Sequence, residues 1–100
     1  MDNKAEDIVV LDMRKVVNFC DYFVLCTAAS DRRIRGVAEN ICEELGKIGI
    51  DVYHTQGLNE GTWVVVDLGD IVVHIFDKNT REFYGLEHLW QEAKRINWKK

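Results

Sequence analysis

Between Ser30 and Gly49 the apolar positions lie on one helical stripe. Ile34, Val37, Ala38, Ile41, Cys42, Leu45 and Ile48 recur at three- and four-residue intervals, which predicts an amphipathic helix of four turns. Ser30 suits the N-cap, Asp31 suits the positive end of the dipole, and Gly49 suits the C′ position. Arg32, Arg33 and Arg35 oppose that dipole and read as a solvated face or as a contact for an anion or acidic partner. Elsewhere the runs are short and rich in β-branched residues. Residues 6–12 and 21–27 predict two buried strands, with a loop or single helical turn at 13–20 between them. Residues 51–55 predict a third strand, followed by a loop with two glycines.

Two further β runs, 62–68 and 71–76, are separated by Gly69-Asp70, which predicts a hairpin with a type II′ or I′ turn. A two-residue loop sets the register, pairing 68 with 71 and so on to 63 with 76, and thereby the face of every side chain. One face carries Val64, Val66, Leu68, Ile71, Val73 and Ile75, all aliphatic, and is expected to face the core. The other carries Trp63, Val65, Asp67, Val72, His74 and Phe76, too apolar to be simply wet and too polar to be simply core. A helix or a partner is expected to cover part of it.

The rest of the chain opens on Asn79-Thr80-Arg81-Glu82, with Asn79 as the expected N-cap and Glu82 at N3. Gly85 is expected to break or bend this helix, and Leu86, Leu89, Trp90 and Ala93 predict a second amphipathic stretch. Strands, helix, strands and helix together predict an α/β (α+β) fold with a single mixed β-sheet and flanking helices.

With 100 residues and no proline, the chain is expected to form one domain, burying roughly two thirds of its extended surface. Its formal charge is −4, from 13 basic and 17 acidic side chains. Residues 51–93 hold only Lys78 and Arg81 against Asp51, Glu60, Asp67, Asp70, Asp77, Glu82, Glu87 and Glu92, whereas Lys94, Arg95, Lys99 and Lys100 come last. So acidic a middle is ill suited to neutralising phosphates and suits a basic protein surface, with little direct RNA contact. Cys20, Cys26 and Cys42 match no zinc spacing and read as reduced thiols packed as small hydrophobes. No apolar run approaches the ~20 residues that span a bilayer. A soluble protein of a bacterial cytoplasm, with no membrane partner, is therefore expected, an organelle being the alternative source.

The catalytic inventory is thin. His74 lies in mid-strand beside aliphatics and reads as a structural or interface residue, Ser30 is spent on the helix cap, and His54 and His88 are isolated. No phosphate-cradling glycine loop or nucleophile elbow is present. Asp67 and Asp70 flank a tight turn and could attract a divalent cation, although turn chemistry accounts for Asp70 without one. No metal and no cofactor is expected.

One combination of residues is far more specific than any of these. Asp7-Ile8-Val9-Val10-Leu11-Asp12, then Asp21-Tyr22-Phe23-Val24, then Trp63-Val64-x-x-Asp67-x-Gly69-Asp70-x-Val72-Val73-His74-x-Phe76, then Arg81-x-x-Tyr84-x-Leu86-Glu87-x-Leu89-Trp90 resembles the Iojap-related ribosomal silencing factor family over nearly the whole chain. The resemblance implies a mixed-sheet fold related to nucleotidyltransferases but without their catalysis. It also implies binding to the fourteenth protein of the large ribosomal subunit, which blocks joining of the small subunit and represses translation when nutrients are scarce. Two departures stand out. Thr27-Ala28-Ala29-Ser30 has Ala where the family's Ser-Gly-x-Ser-like turn has Gly, and only about six residues precede the first strand where the family tends to carry a helix.

The residues and the resemblance meet at the hairpin. Trp63, Asp67, Asp70, His74, Phe76, Tyr84 and Glu87 are the expected partner-binding residues, with Trp63 and Phe76 as apolar anchors and Asp67, Asp70 and Glu87 pairing with basic side chains at the rim. The alternatives are a metal-dependent nucleotidyltransferase-like enzyme using Asp67 and Asp70, and a homodimer that buries the aromatic face against itself.

Overall fold

The computed structural model describes residues 5–96. Among them β1 (Glu6–Asp12), β2 (Tyr22–Thr27), β3 (His54–Gln56), β4 (Trp63–Asp67), β5 (Ile71–Phe76) and β6 (Lys94–Ile96) form one mixed sheet. Its order is β3-β4-β5-β2-β1-β6. Only β2 and β5 run parallel, which requires the crossover made by α1 (Asp31–Lys47). The chain is therefore α+β with a single mixed sheet, as expected.

The hairpin has the register that its Gly-Asp turn dictates: Trp63 opposes Phe76, Val65 opposes His74 and Asp67 opposes Val72. Gly69 takes φ 90° while Asp70 has no positive φ, which makes the turn type II′. The aliphatic face, with Val64, Val66, Val73 and Ile75, packs with Cys26 and Ala28 of the β2 end against Ile34, Val37 and Ala38 of α1. The α1 stripe holds at its centre and fails at its end, where Ile48 is the C-cap and 70% exposed. Ser30 caps the helix by accepting from the Arg33 N–H at 3.2 Å, and Gly49 follows at φ 81°. Arg35 finds its partners inside the chain, donating to the carbonyls of Leu58 and Asn59 at 2.6 Å each.

Three expectations need correction. The third strand is His54–Gln56 rather than 51–55, because pairing is set from the β4 side: Gly57, at φ 85°, lies so close to the Trp63 carbonyl that a Cβ there would be 2.0 Å from its oxygen. Upstream, Tyr53 contributes its N–H to the Asp67 carbonyl, and Ile50 and Tyr53 are exposed. The N-cap of α2 (Lys78–Tyr84) is Asp77, not Asn79; its carboxylate accepts from the Thr80 N–H at 2.7 Å. Asp77 is the first residue after β5 with extended backbone, so it reaches the cap position two residues before Asn79 does. Gly85, in the left-handed region, ends α2 outright. Beyond Gly85 the chain makes a single turn, α3 (Leu86–Leu89), and then enters β6, where the apolar spacing predicts a continued helix. Leu86, Trp90 and Ala93 still turn toward the sheet, whereas Leu89 is exposed. Arg95 and Lys94 on β6 pair antiparallel with Leu11 and Asp12, a short charged edge of the kind that discourages further strand addition. Trp98, Lys99 and Lys100 lie outside the described residues.

The second sheet face, expected to be covered in part by a helix or a partner, is covered over much of its area by the chain itself. Met13, whose carbonyl accepts from the Val16 and Val17 N–H groups in a tight turn, covers it together with Cys20, Leu86 and Ala93. Beneath them lie Leu11, Phe23, Leu25 and Phe76. This is a second core. Cys20, Cys26 and Cys42 are free thiols, and burial pushes the Cys26 thiol up to about 11, which keeps it an unreactive packed hydrophobe. No helix among the described residues is long and apolar enough to cross a membrane.

Candidate protein-docking face

The covering elements stop short of β4, and Trp63 stands at their edge. Its indole is half buried: Nε1 donates to His74 Nδ1 at 3.1 Å, and the ring lies 5.6 Å from that of Phe76 and 4.8 Å from that of Tyr84. Tyr84 is 54% exposed and meets the 82% exposed Phe83 edge-on at 5.0 Å. Trp63, Tyr84 and Phe83 thus form a continuous aromatic ridge at the open end of the hairpin. Exposed aromatics at the end of a short helix are not demanded by folding, since a helix of seven residues that buries none of them gains nothing from their apolar area.

Phe76 and His74 back this ridge from inside. Phe76 is 0% exposed and His74 is 7% exposed, so neither reaches the surface: Phe76, expected as an apolar anchor, is core, and His74 is structural rather than an interface residue in direct contact. The reason is tertiary: Phe23 of β2 meets the His74 ring edge-on at 4.7 Å, and Trp90 stands perpendicular to Phe23 at 6.2 Å. Desolvation pushes the His74 pKa down to about 4, which leaves the imidazole neutral at ordinary pH.

The acidic residues separate into two groups. Glu87 accepts from Arg81 Nε at 2.8 Å and from Arg95 Nη2 at 3.2 Å, and the Arg81 hydrogen bond holds its carboxyl below the usual range. It is a partner to the chain's own arginines. Asp67 and Asp70 sit at the turn end of the hairpin, about 13 Å along β4 from Trp63 at ~3.3 Å per residue. Asp67 Oδ1 accepts from the Gly69 N–H at 2.8 Å, and Oδ2 is 3.9 Å from His54 Nδ1. Asp70 is exposed, and its carbonyl accepts from the Asp21 and Tyr22 N–H groups. The seven expected residues therefore comprise an aromatic cluster of four, an acidic turn of two, and Glu87 within an arginine triad.

Two residues of this region have roles that a reading of the sequence misses. Phe83 carries the most exposed aromatic ring among the described residues, and its signal is an aromatic next to Tyr84 just before a helix-ending glycine. Arg81 stands in the motif quoted above without a role of its own; it binds Glu87, the Asp7 carbonyl at 2.8 Å and Thr27 Oγ1 at 3.2 Å, tying α2 to β1 and β2. A cavity of about 310 Å³ lies between Glu6, Asp7, Thr27, Ala28, Ala29, Asp77, Lys78 and Asn79, at the end of the hairpin away from Asp67 and Asp70. Among the described residues no group of three or more His, Cys, Asp or Glu side chains is placed to hold a metal ion.

Comparison with known proteins identifies the family. The family model for the ribosomal silencing factor during starvation matches residues 1–100. The ribosomal silencing factor RsfS of Bacillus subtilis is 44% identical over 92 residues, which cover 92% of this chain and 78% of that protein. The chloroplastic protein Iojap of Zea mays is 32% identical over 93% of this chain and 40% of its own length. A crystal structure of a Chromobacterium violaceum protein superposes with a TM-score of 0.87 at 31% identity, covering 99% of this chain and 82% of that one. With the full length matched and the sheet reproduced, the chain belongs to the ribosomal silencing factor family.

Proposed function

We propose that this chain represses translation by docking on the large ribosomal subunit, at its fourteenth protein, and sterically blocking the small subunit when nutrients are scarce. No bond is made or broken in this mechanism. Family membership supports action on the ribosome. The observation that carries the docking face is the ridge itself: Phe83 and Tyr84 are 82% and 54% exposed, in ring contact with a Trp63 that the second core holds in place. Aromatic anchors backed by rigid packing are the usual seat of interface energy, worth roughly 2–4 kcal/mol each, whereas rim charges give much less. Asp67 and Asp70, on the neighbouring turn, are suited to draw in a basic partner.

Within this reading Trp63, Tyr84 and Phe83 touch the partner, while Phe76 and His74 support them from below and Glu87 holds α3 to α2. The experiment mixes purified large subunits with the protein, adds small subunits and follows joining by sedimentation. Joining is expected to fall as the protein saturates, and Trp63→Ala, which leaves the buried Phe76 in place, is expected to need at least about 30-fold more protein. Unimpaired joining at saturating wild-type protein overturns the proposal. A folded Trp63→Ala variant with unchanged affinity overturns the anchor.

A further inference from the structure

His74 is an expensive residue for the place it occupies. Phe23, Phe76 and Trp63 surround its ring at centroid distances of 4.7, 6.4 and 6.0 Å. Nδ1 accepts the indole N–H, so the neutral ring carries its own proton on Nε2, and Nε2 is buried with no hydrogen-bond partner among the described residues. Leucine or phenylalanine would fill such a site without an unpaired N–H. Packing therefore does not account for an imidazole here.

What an imidazole does and an apolar side chain does not is accept the Trp63 N–H. A half-buried indole at a sheet edge has more than one rotamer open to it, and a buried acceptor selects the one that turns the N–H edge inward. The remainder of the ring is then left against Tyr84 at 4.8 Å and toward solvent. Since burial keeps the imidazole neutral, the acceptor is present throughout the physiological pH range.

We propose that His74 is a positioning residue: its Nδ1 locks the Trp63 indole in the orientation that completes the aromatic ridge, and so sets partner affinity from a site the partner never touches. This rests on the docking reading above. Binding and stability should then respond oppositely to substitution at position 74. His74→Leu keeps the apolar volume, removes the unpaired N–H and removes the acceptor. His74→Asn places Oδ1 near the position of Nδ1, keeping an acceptor while leaving space in the core.

The test compares wild type, His74→Leu, His74→Asn and Trp63→Ala by urea unfolding, by solvent exchange of the Trp63 indole N–H in ¹H–¹⁵N spectra, and by co-sedimentation with large subunits. His74→Leu is expected to unfold at no lower urea than wild type, yet to expose the indole N–H to exchange and bind roughly tenfold more weakly. His74→Asn is expected to be less stable but to keep the indole protected and bind within about threefold of wild type. A purely structural role would make affinity follow stability. If His74→Leu binds as wild type does while Trp63→Ala is weakened, positioning is overturned and the docking reading stands. Should Trp63→Ala bind as tightly as wild type, the docking reading falls and the affinity role of His74 falls with it. Should neither Leu nor Asn at position 74 fold, His74→Phe supplies an apolar variant without a nitrogen, oxygen or sulfur acceptor, with the same expectations as Leu.

Discussion

Lowering the pH from 7 to 4.5 should weaken the fold through one side chain. His74 has an ordinary pKa of 6.5, and desolvation, with no compensating carboxylate, lowers it to about 4 in the folded chain. A base whose folded pKa is depressed contributes no penalty above its unfolded pKa; the loss sets in as pH falls below 6.5 and is complete near 4. At pH 4.5 the unfolded imidazole is almost fully protonated and the folded one largely neutral, which by linkage amounts to about 2–3 kcal/mol. That is a large share of the ~5–15 kcal/mol available to a domain of this size. With a urea dependence of roughly 1–1.5 kcal/mol per molar, the unfolding midpoint should drop by about 2 M. Carboxylates such as Glu87 also titrate on the acid side, so the informative quantity is the difference between wild type and His74→Leu at each pH. That difference should move by about 2–3 kcal/mol in favour of the Leu variant between pH 7 and 4.5. Parallel stability curves for the two proteins over this range would refute a buried neutral imidazole.

Arg81→Met should cost about 3 kcal/mol in chemical denaturation, because a 10% exposed guanidinium that binds Glu87, Asp7 and Thr27 would leave three acceptors short of a donor; unchanged stability would show that the clamp is idle. Asp77→Ala should lower stability by about 1 kcal/mol and Asn79→Ala by no more than a few tenths, a contrast visible as a Tm difference. Equal effects would move the cap to Asn79.

How much of this is legible in the sequence depends on the range over which each feature is determined. The hairpin register comes from two residues, Gly69 and Asp70, and a period of two, so every pair from Trp63–Phe76 to Asp67–Val72 can be written down without the fold. The α1 stripe is equally local, and its failure at Ile48 marks where the helix outruns the sheet beneath it. The cap of α2 is ambiguous because Asp77 and Asn79 offer the same side-chain chemistry, and only the end of β5 decides between them. The β6 strand is illegible for a stronger reason. Lys94, Arg95 and Ile96 have no pattern of their own and are strand only because β1, more than eighty positions earlier in the chain, offers Val10, Leu11 and Asp12 to pair with. The burial of Phe76 is of the same kind, produced by Met13, Cys20 and Leu86 arriving from elsewhere, and Phe23 of β2 does the same for His74.

Those two kinds of determination meet at Trp63, and that is what gives the sheet face its double use. Local register puts Trp63, Val65 and Asp67 on the same side as His74 and Phe76. Tertiary cover then reaches Phe76 and His74 but leaves β4 half open, so one indole is core along its N–H edge and surface along the other. A wholly exposed tryptophan would lose side-chain freedom on binding, and a wholly buried one could not bind at all. Placed at the boundary, with Phe76 beneath it and Nε1 fixed on His74, the indole has already lost that freedom during folding. The acids act differently. Glu87 is spoken for by Arg81 and Arg95, and Asp67 by Gly69, so the net negative charge of residues 51–93 acts mainly through the field that attracts a basic surface. Attraction of this sort raises the rate of encounter, while the pre-ordered ridge governs how long the complex lasts. The occupancy mechanism proposed above depends most on the second property, and in this fold the buried neighbours of Trp63, rather than the charges around it, are the elements suited to supply it.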